Sequence, residues 1–557
     1  TVQNIDATRL APATLWPGEA LSARGSTVMQ LPRWSSLEID DRYLIESTAT
    51  AFSPMYSPVK LLASSATWLA YTMATEPTGP PQTDGAVNKP VWKRERFCEQ
   101  YVDHSLGPRS ERFCQYYYYT EHFVKKRGWG PPRILVGTSN MKRANPDDVE
   151  AEMMYCASAL GAIPVLVEGR FSGSSLPVRD NSTSANLKEL YTYDQMIGDI
   201  EQLVRSVSFF SGDAVGEMKE YPKIALFGHD HTGRIAAWGA HAHLHVINAA
   251  VSSSTPVKSV IENKDYNDLV AAAFENEMLG GSKECLEAVT TAHEVVGKHI
   301  VSRRGMAKLE EVFGLRKNHL KDFEDWWMWS SKGLLGFNME ENDPTCTSPY
   351  CNVARICSKM TAVGEEIKTQ SRKSQDHHWL TALATIKKAR LSADGTRELT
   401  RREIIEKARD PTNNDPEKLH WFIKCSQFPT FETCDLDSNC PWVRFADSST
   451  FFYSLCRDAF GITEEEVRKA STSINRKHGG KGMNDAKGII SVNGEVDPWS
   501  SLTVAKSRPR SPVITQIPGA SHATWSSPKN ERQYSDFKKY YAEVYVALSD
   551  FMSYFSS

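Results

Sequence analysis

Short apolar runs separated by helical patterns constrain this chain more than any other feature. Residues 133–137 (R-I-L-V-G), 162–168 (A-I-P-V-L-V-E) and 223–228 (K-I-A-L-F-G) are β-rich and nearly continuous in apolar character. Helical patterns lie between them, over 147–160 and 187–207. In the second, Leu187, Leu190, Met196, Ile197, Ile200, Leu203 and Val204 recur at three- and four-residue spacing. A strand with one solvated face alternates; a strand apolar throughout is buried on both faces. Strand–helix–strand order with such strands therefore predicts a parallel sheet covered by helices on both sides. The runs 486–494 and 511–517 return to this texture, and a last helix is predicted over 531–554.

The stretch 258–474 interrupts the alternation. It is charged, helical and rich in cysteine, and reads as a helical cap inserted into the sheet domain. Residues 1–90 differ again: rich in Ser, Thr, Ala and Pro, free of cysteine and ending in T-E-P-T-G-P-P-like sequence, they read as an extension that docks on the body or on a partner. The expected organisation is thus an extension (1–90), a first half of the core (91–257), the cap (258–474) and a second half of the core (475–557).

Charge excludes several functions. With 65 Lys and Arg against 68 Asp and Glu the formal charge is −3, so no nucleic acid is held by bulk phosphate neutralisation. Hydrophobic residues at 40% and charged residues at 24% are globular values, which excludes global disorder. No run approaches 18 apolar residues, so no transmembrane segment is expected. Eleven cysteines are compatible with several bridges and leave at least one thiol unpaired within the chain. Cys346, Cys351 and Cys357 form one group and Cys425, Cys434, Cys440 and Cys456 another; no C-x-x-C pair suggests zinc, and the connectivity stays open. A first residue that is Thr1, not Met, and a sequon at Asn181-Ser182-Thr183 fit a processed, secretory-route glycoprotein, placed extracellularly or in a lysosomal or vacuolar lumen.

The chemistry concentrates where the third run ends. Phe227-Gly228-His229-Asp230-His231-Thr232-Gly233-Arg234 is a strand, a tight turn with Gly228 and Gly233 on either side, then an Ala-rich helix start. This is the layout of a nucleophile elbow, in which the central side chain stands clear of the sheet. The central residue is Asp230, not Ser. Asp497, in N-G-E-V-D-P-W, follows the next predicted strand, and His522, in G-A-S-H, follows the last. The order nucleophile–acid–histidine is that of α/β-hydrolases.

These motifs resemble the prolyl carboxypeptidase and dipeptidyl peptidase II family of lysosomal and secreted serine peptidases. The likeness is spread over most of 92–557. It includes the hairpin at 97–123, E-G-R-F-S-G-S-S-L-P at 168–177, S-T-S-A-N-L at 182–187, the elbow through S-S-T-P at 253–256, the cap step at 421–425, and N-G-E-V-D-P-W at 493–499. The resemblance implies an α/β-hydrolase fold and carries the acid to Asp497, the base to His522 and the nucleophile to Asp230, where the family has Ser. Other positions depart from its pattern as well. The glycine-rich loop is Gly137-Thr138-Ser139-Asn140, H-R-Y-Y is Gly169-Arg170-Phe171-Ser172, and the Asp expected three residues after the histidine is Trp525. An aspartate cannot form the serine acyl-enzyme. The expected function is therefore a catalytically impaired pseudopeptidase that binds a peptide or protein or serves in assembly, with oligomers allowed and no cofactor.

Two alternatives stand beside this reading. G-H-D followed by Gly233 also resembles the elbow of epoxide hydrolases, which makes Asp230 a nucleophile toward an epoxide or ester with His522 as base. A residual proline-directed exopeptidase would need another serine, and Ser172 and Ser253 lie nearest in the motifs. Gly137, Gly228, His231 and Gly233 make up the expected oxyanion and elbow surroundings. His229, His231, His241, His243 and His245 suggest metal, but the last three alternate at a helix end where solvation is the simpler reading, so no metal is assigned. Asp325-Trp326-Trp327-Met328-Trp329 is expected to pack inside the cap.

Overall fold

The computed structural model describes residues 89–124, 133–179, 182–207, 222–329, 339–394, 399–435, 437–443, 449–480, 483, 486–504, 513–527 and 531–554. Nearly all of the expected extension, and Asn181 of the sequon, lie outside the described residues.

Among the described residues eight strands form one sheet: β1 (Lys93–Tyr101), β2 (Arg112–Tyr119), β3 (Arg133–Thr138), β4 (Ile163–Val167), β5 (Lys223–His229), β6 (Ala249–Ser253), β7 (Ile489–Gly494) and β8 (Val513–Ile517). Their order is β1-β2-β4-β3-β5-β6-β7-β8. The β1–β2 and β2–β4 pairs are antiparallel, and every pair from β4 to β8 is parallel. This order, with helices on both faces, is the α/β-hydrolase fold.

The strand sequences explain the two faces. In β3, Ile134 and Val136 join one apolar core while Leu135 joins the other; in β5, Ile224 and Leu226 part in the same way from Ala225 and Phe227. Successive strand residues point to opposite sides, so strands apolar at every position need cover on both. Helices Ala151–Leu160 and Glu531–Tyr554 cover one face; Tyr193–Ser206 and Asp230–Ala242 cover the other.

The helix expected over 187–207 is two helices, Ser184–Leu190 and Tyr193–Ser206. Tyr191 leaves helical geometry at φ −108° and ψ 64°, and the Thr192 side chain accepts from Gln195 N to cap a new start. The apolar spacing runs through the break because both pieces face the same core, and periodicity alone cannot see a cap. The helix expected over 147–160 begins later, at Ala151, after a 3-10 turn at Pro146–Asp148.

Ten α-helices, from Lys264–Glu275 to Glu464–His478, lie between β6 and β7 among the described residues. They divide between two cores. Those from Tyr266 to Ile386, with Cys434, Cys440 and Trp442, pack around their own centre. Ile404, Leu419, Phe422, Phe452, Leu455 and Val467 instead extend the core of the sheet. Trp326 and Trp329 are buried in the first core and Trp327 in the second.

Disulfides join Cys98–Cys114, Cys285–Cys357, Cys346–Cys351, Cys425–Cys456 and Cys434–Cys440, and Cys156 is the free, buried thiol. Cys357 thus pairs outside its sequence group, with Cys285 72 residues earlier. Closing a loop of that length stabilises the folded chain by about 4 kcal/mol through the unfolded state. No helix among the described residues is long and apolar enough to cross a membrane.

Candidate active site

The turn after β5 is built by exclusion. Asp230 has φ +43°, a left-handed conformation that a non-glycine residue adopts only when its surroundings demand it. A Cβ at Gly228 would strike the Thr232 carbonyl, and one at Gly233 would strike Thr255 Oγ1. The Thr232 hydroxyl accepts from His229 N at 3.1 Å and donates to His229 O at 2.9 Å, closing the turn. The Asp230 side chain, 32% exposed, then stands at the start of the elbow helix Asp230–Ala242.

One helical turn on, Arg234 Nη2 lies 3.2 Å from Asp230 Oδ1. Arg234 is buried; its Nε donates to Tyr193 Oη at 2.7 Å, its Nη1 to Pro256 O at 3.3 Å, and its guanidinium lies 4.4 Å from the Phe428 ring centre. Burial would raise the Asp230 carboxyl, but Arg234 and then His522 hold it well below the usual carboxylate range. His231 faces inward, 3.0 Å from Tyr193 Oη, and burial with Arg234 near by pushes it down to about 3. It is therefore neutral.

The two late loops are laced together. Glu495 N donates to Ile517 O at 3.1 Å and Val496 N to Ala520 O at 3.0 Å. Gly494 has no room for a Cβ against the Ala520 and Ser521 carbonyls. Ala523 N donates to Ser254 Oγ at 2.9 Å, which ties the His522 loop to the end of β6. Within this frame His522 Nδ1 sits 3.1 and 3.2 Å from the Asp497 oxygens, and Asp497 Oδ1 also accepts from Trp499 N at 2.9 Å. Burial would lower His522; Asp497, with Glu340 and Asp230, outweighs it and raises the imidazole to about 9.

Asp230, His231 and Arg234 line a cavity of about 120 Å³. Its opposite wall comes from the helical insertion: His420, Lys424, Phe428 and Glu432, with Glu340 and Trp499 at the side. Lys424 Nζ donates to both Glu432 oxygens at 2.6 Å. Glu340 Oε1 accepts from Trp499 Nε1 at 2.7 Å and Tyr266 Oη at 2.9 Å. No bulk charge of one sign fills the pocket.

The expected site residues divide clearly. Asp230, Asp497, His522 and His231 come together. Gly228 and Gly233 shape the turn without lining the cavity. Gly137 pairs inside β3 with Leu166 and Phe227, and Asn140 and Met141 line the cavity in its place. Ser253 is fully buried and donates to Glu152 at 2.5 Å, and Ser172 is 1% exposed, so neither faces the cavity. Glu168 and Arg170 also lie away from it. Glu168 accepts from Ala144 N, Ser174 N and Ser175 Oγ, and Arg170 makes a buried pair with Asp199 at 2.7 Å. Sequence reading missed Arg234, although a charge four residues after Asp230 in an Ala-rich helix was a usable signal. Lys424, Glu432 and Glu340 lie far away in sequence and gave none.

Residues 100–542 match the family described as Serine carboxypeptidase S28. The chain belongs to that family. This S28 chain is similar to the thymus-specific serine protease of Mus musculus, with 25% identity over 67% of this chain and 71% of the relative. Its likeness to the Homo sapiens thymus-specific serine protease is 24%, over 78% and 82%. It is also similar to the lysosomal Pro-X carboxypeptidase of Bos taurus, at 20% identity over 77% and 81%.

Proposed function

We propose that this S28 chain is a catalytically impaired member that binds a peptide or protein ligand without cleaving it. The observation that carries the reading is Asp230 at the elbow, with a carboxylate committed to Arg234 where acyl transfer needs a hydroxyl. Acyl-enzyme formation requires a serine oxygen whose proton passes to a neutral histidine. Asp230 has no such proton, and His522, protonated up to about 9, has no free lone pair to take one at neutral or acidic pH. Asp230, His522 and Asp497 then act as an ion cluster that joins the elbow to the two late loops. The disulfides, and relatives named lysosomal, support an oxidising secretory or lysosomal setting. Residues 1–90 are the proposed docking segment.

A serine-directed fluorophosphonate tests this. No labelling of the full chain is expected, and a labelled serine overturns the reading. A second reading rests on Asp230 being ionised and facing a cavity: the carboxylate attacks an epoxide carbon, the ring C–O bond breaks to an alkoxide that takes a proton from water, and water later cleaves the hydroxyalkyl ester; with an activated ester the attack falls on the acyl carbon, the alcohol leaves, and water cleaves the mixed anhydride. It requires hydrolysis of an epoxide or activated ester that vanishes in Asp230→Ala, and turnover confined to pH above the His522 value.

A further inference from the structure

Histidines 241, 243 and 245 lie where the elbow helix ends and the chain turns toward β6. By spacing alone they are a solvated helix end. The fold adds a partner from another element, Glu201 of Tyr193–Ser206. Its Oε2 lies 3.1 Å from His243 Nδ1 and its Oε1 3.9 Å from His245 Nε2. One donor atom from each of the three residues falls within 4.8 Å of the others. Glu201 and His243 also line a surface groove of about 990 Å³ that holds the acids Asp103, Glu189 and Asp194 beside the cations Arg205 and Lys477. His243 is the C-terminal cap of the elbow helix, where the backbone dipole favours positive charge.

A side-chain cation already uses this potential. Arg205 Nη2 is 2.9 Å from Glu201 Oε1 and 2.7 Å from His245 Nε2. Arginine only donates, so His245 Nε2 accepts, and its lone pair is held by Arg205.

We propose that Glu201, His243 and His245 form a site for a borderline divalent transition cation, best matched by Zn²⁺, with Arg205 as its built-in competitor. Two imidazoles and one carboxylate are a zinc donor set, whereas Mg²⁺ and Ca²⁺ favour oxygen alone. Zinc bonds of about 2.0–2.2 Å set tetrahedral donors roughly 3.3 Å apart. The Glu201–His243 contact is already at that spacing. Closing the site requires Arg205, 48% exposed, to swing out and His245, 63% exposed on its turn, to move by up to about 1.5 Å. A fourth position remains for water or a group of a ligand. The site is independent of the reading of the elbow.

The test is calorimetric titration of the EDTA-treated full chain with ZnCl₂. One saturable site per chain is expected. His243→Ala and His245→Ala should each weaken it at least about tenfold, His241→Ala should leave it unchanged, and Arg205→Gln should tighten it several-fold. CaCl₂ should neither bind there nor compete. Absence of saturable zinc binding overturns the proposal. So does binding that survives the His243→Ala/His245→Ala double substitution, equal competition by calcium, or an Arg205→Gln affinity no tighter than that of the unaltered chain. All the side chains changed are partly or fully exposed, so the folded state is retained, and Arg205→Gln leaves every ligand in place.

Discussion

Asp230 and Glu152 are both acids held near the C-terminal ends of the central strands, Asp230 directly after β5 and Glu152 accepting from Ser253 at the end of β6. Burial pushes both toward the neutral form. Around Asp230, Arg234 and the charged His522 overcome that push, and the group is ionised. Around Glu152 stand Ser253, Ser526 and the indole of Trp525, with Glu150 near by. Those neutral donors do not outweigh burial and a second acid, and the carboxyl rises to about 8. Neighbours, not depth, decide the charge. One acid is therefore part of an ion cluster facing a pocket, while the other is a neutral hydrogen-bonding group inside the core.

The largest expected effect comes from the cation that joins the cluster. Asp497 is fully buried, so His522→Ala leaves a buried carboxylate without its charged partner, at a cost of about 3 kcal/mol near pH 6. The folded imidazole titrates at about 9, against 6.5 unperturbed. Its contribution is full below pH 6.5 and is lost as pH rises through 9. Urea denaturation of both proteins at pH 6 and pH 9.5 should show the gap shrinking at the higher pH. A gap that is constant or widening removes the ion cluster.

Asp230→Asn should cost somewhat less, about 2 kcal/mol, because its carboxylate is partly exposed while Arg234 is not. The amide keeps the shape of the turn but leaves Arg234 and His522 without the anion between them. The imidazole pKa, followed by NMR, should then fall below 9. An unchanged His522 titration would show that Asp230 and His522 are not electrostatically joined.

The contrast between the two acids was half legible in the sequence. Asp230, Asp497 and His522 each follow a strand whose apolar pattern places it in the sheet, so their convergence was readable from order alone. Arg234 was readable by helical spacing. Glu152 was not: it sits at the first turn of a helix, where an acid is ordinary, and only the tertiary packing of Ser253, Trp525 and Tyr541 over that helix seals it from water. The pocket wall was hidden for a related reason. Lys424 and Glu432 share the cavity with Asp230 from the helical insertion, and no local rule fixes how such an insertion lies on a sheet. The break at Tyr191 was hidden because both helices share one apolar face.

Near pH 4.5 Glu152→Gln carries the smallest effect of the three, and across the pH range it gives the sharpest comparison, since it makes in one acid the acid-to-amide change that Asp230→Asn makes in the other. With a folded value of about 8 against 4.5 unperturbed, Glu152 binds a proton on folding between those limits. Its contribution is full below pH 4.5 and is lost as pH rises through 8, at up to about 1.4 kcal/mol per pH unit. Glutamine cannot titrate. The variant should match the unaltered chain within about 1 kcal/mol near pH 4.5 and exceed it at pH 8, with a flatter stability–pH curve between. That sign is opposite to the one expected for Asp230→Asn, and Glu152 taken by itself favours the folded state at acidic pH. Thermal midpoints of both proteins from pH 4.5 to 8.5 decide it. Parallel curves would mean that Glu152 is charged at neutral pH, and the two acids would then differ in position alone.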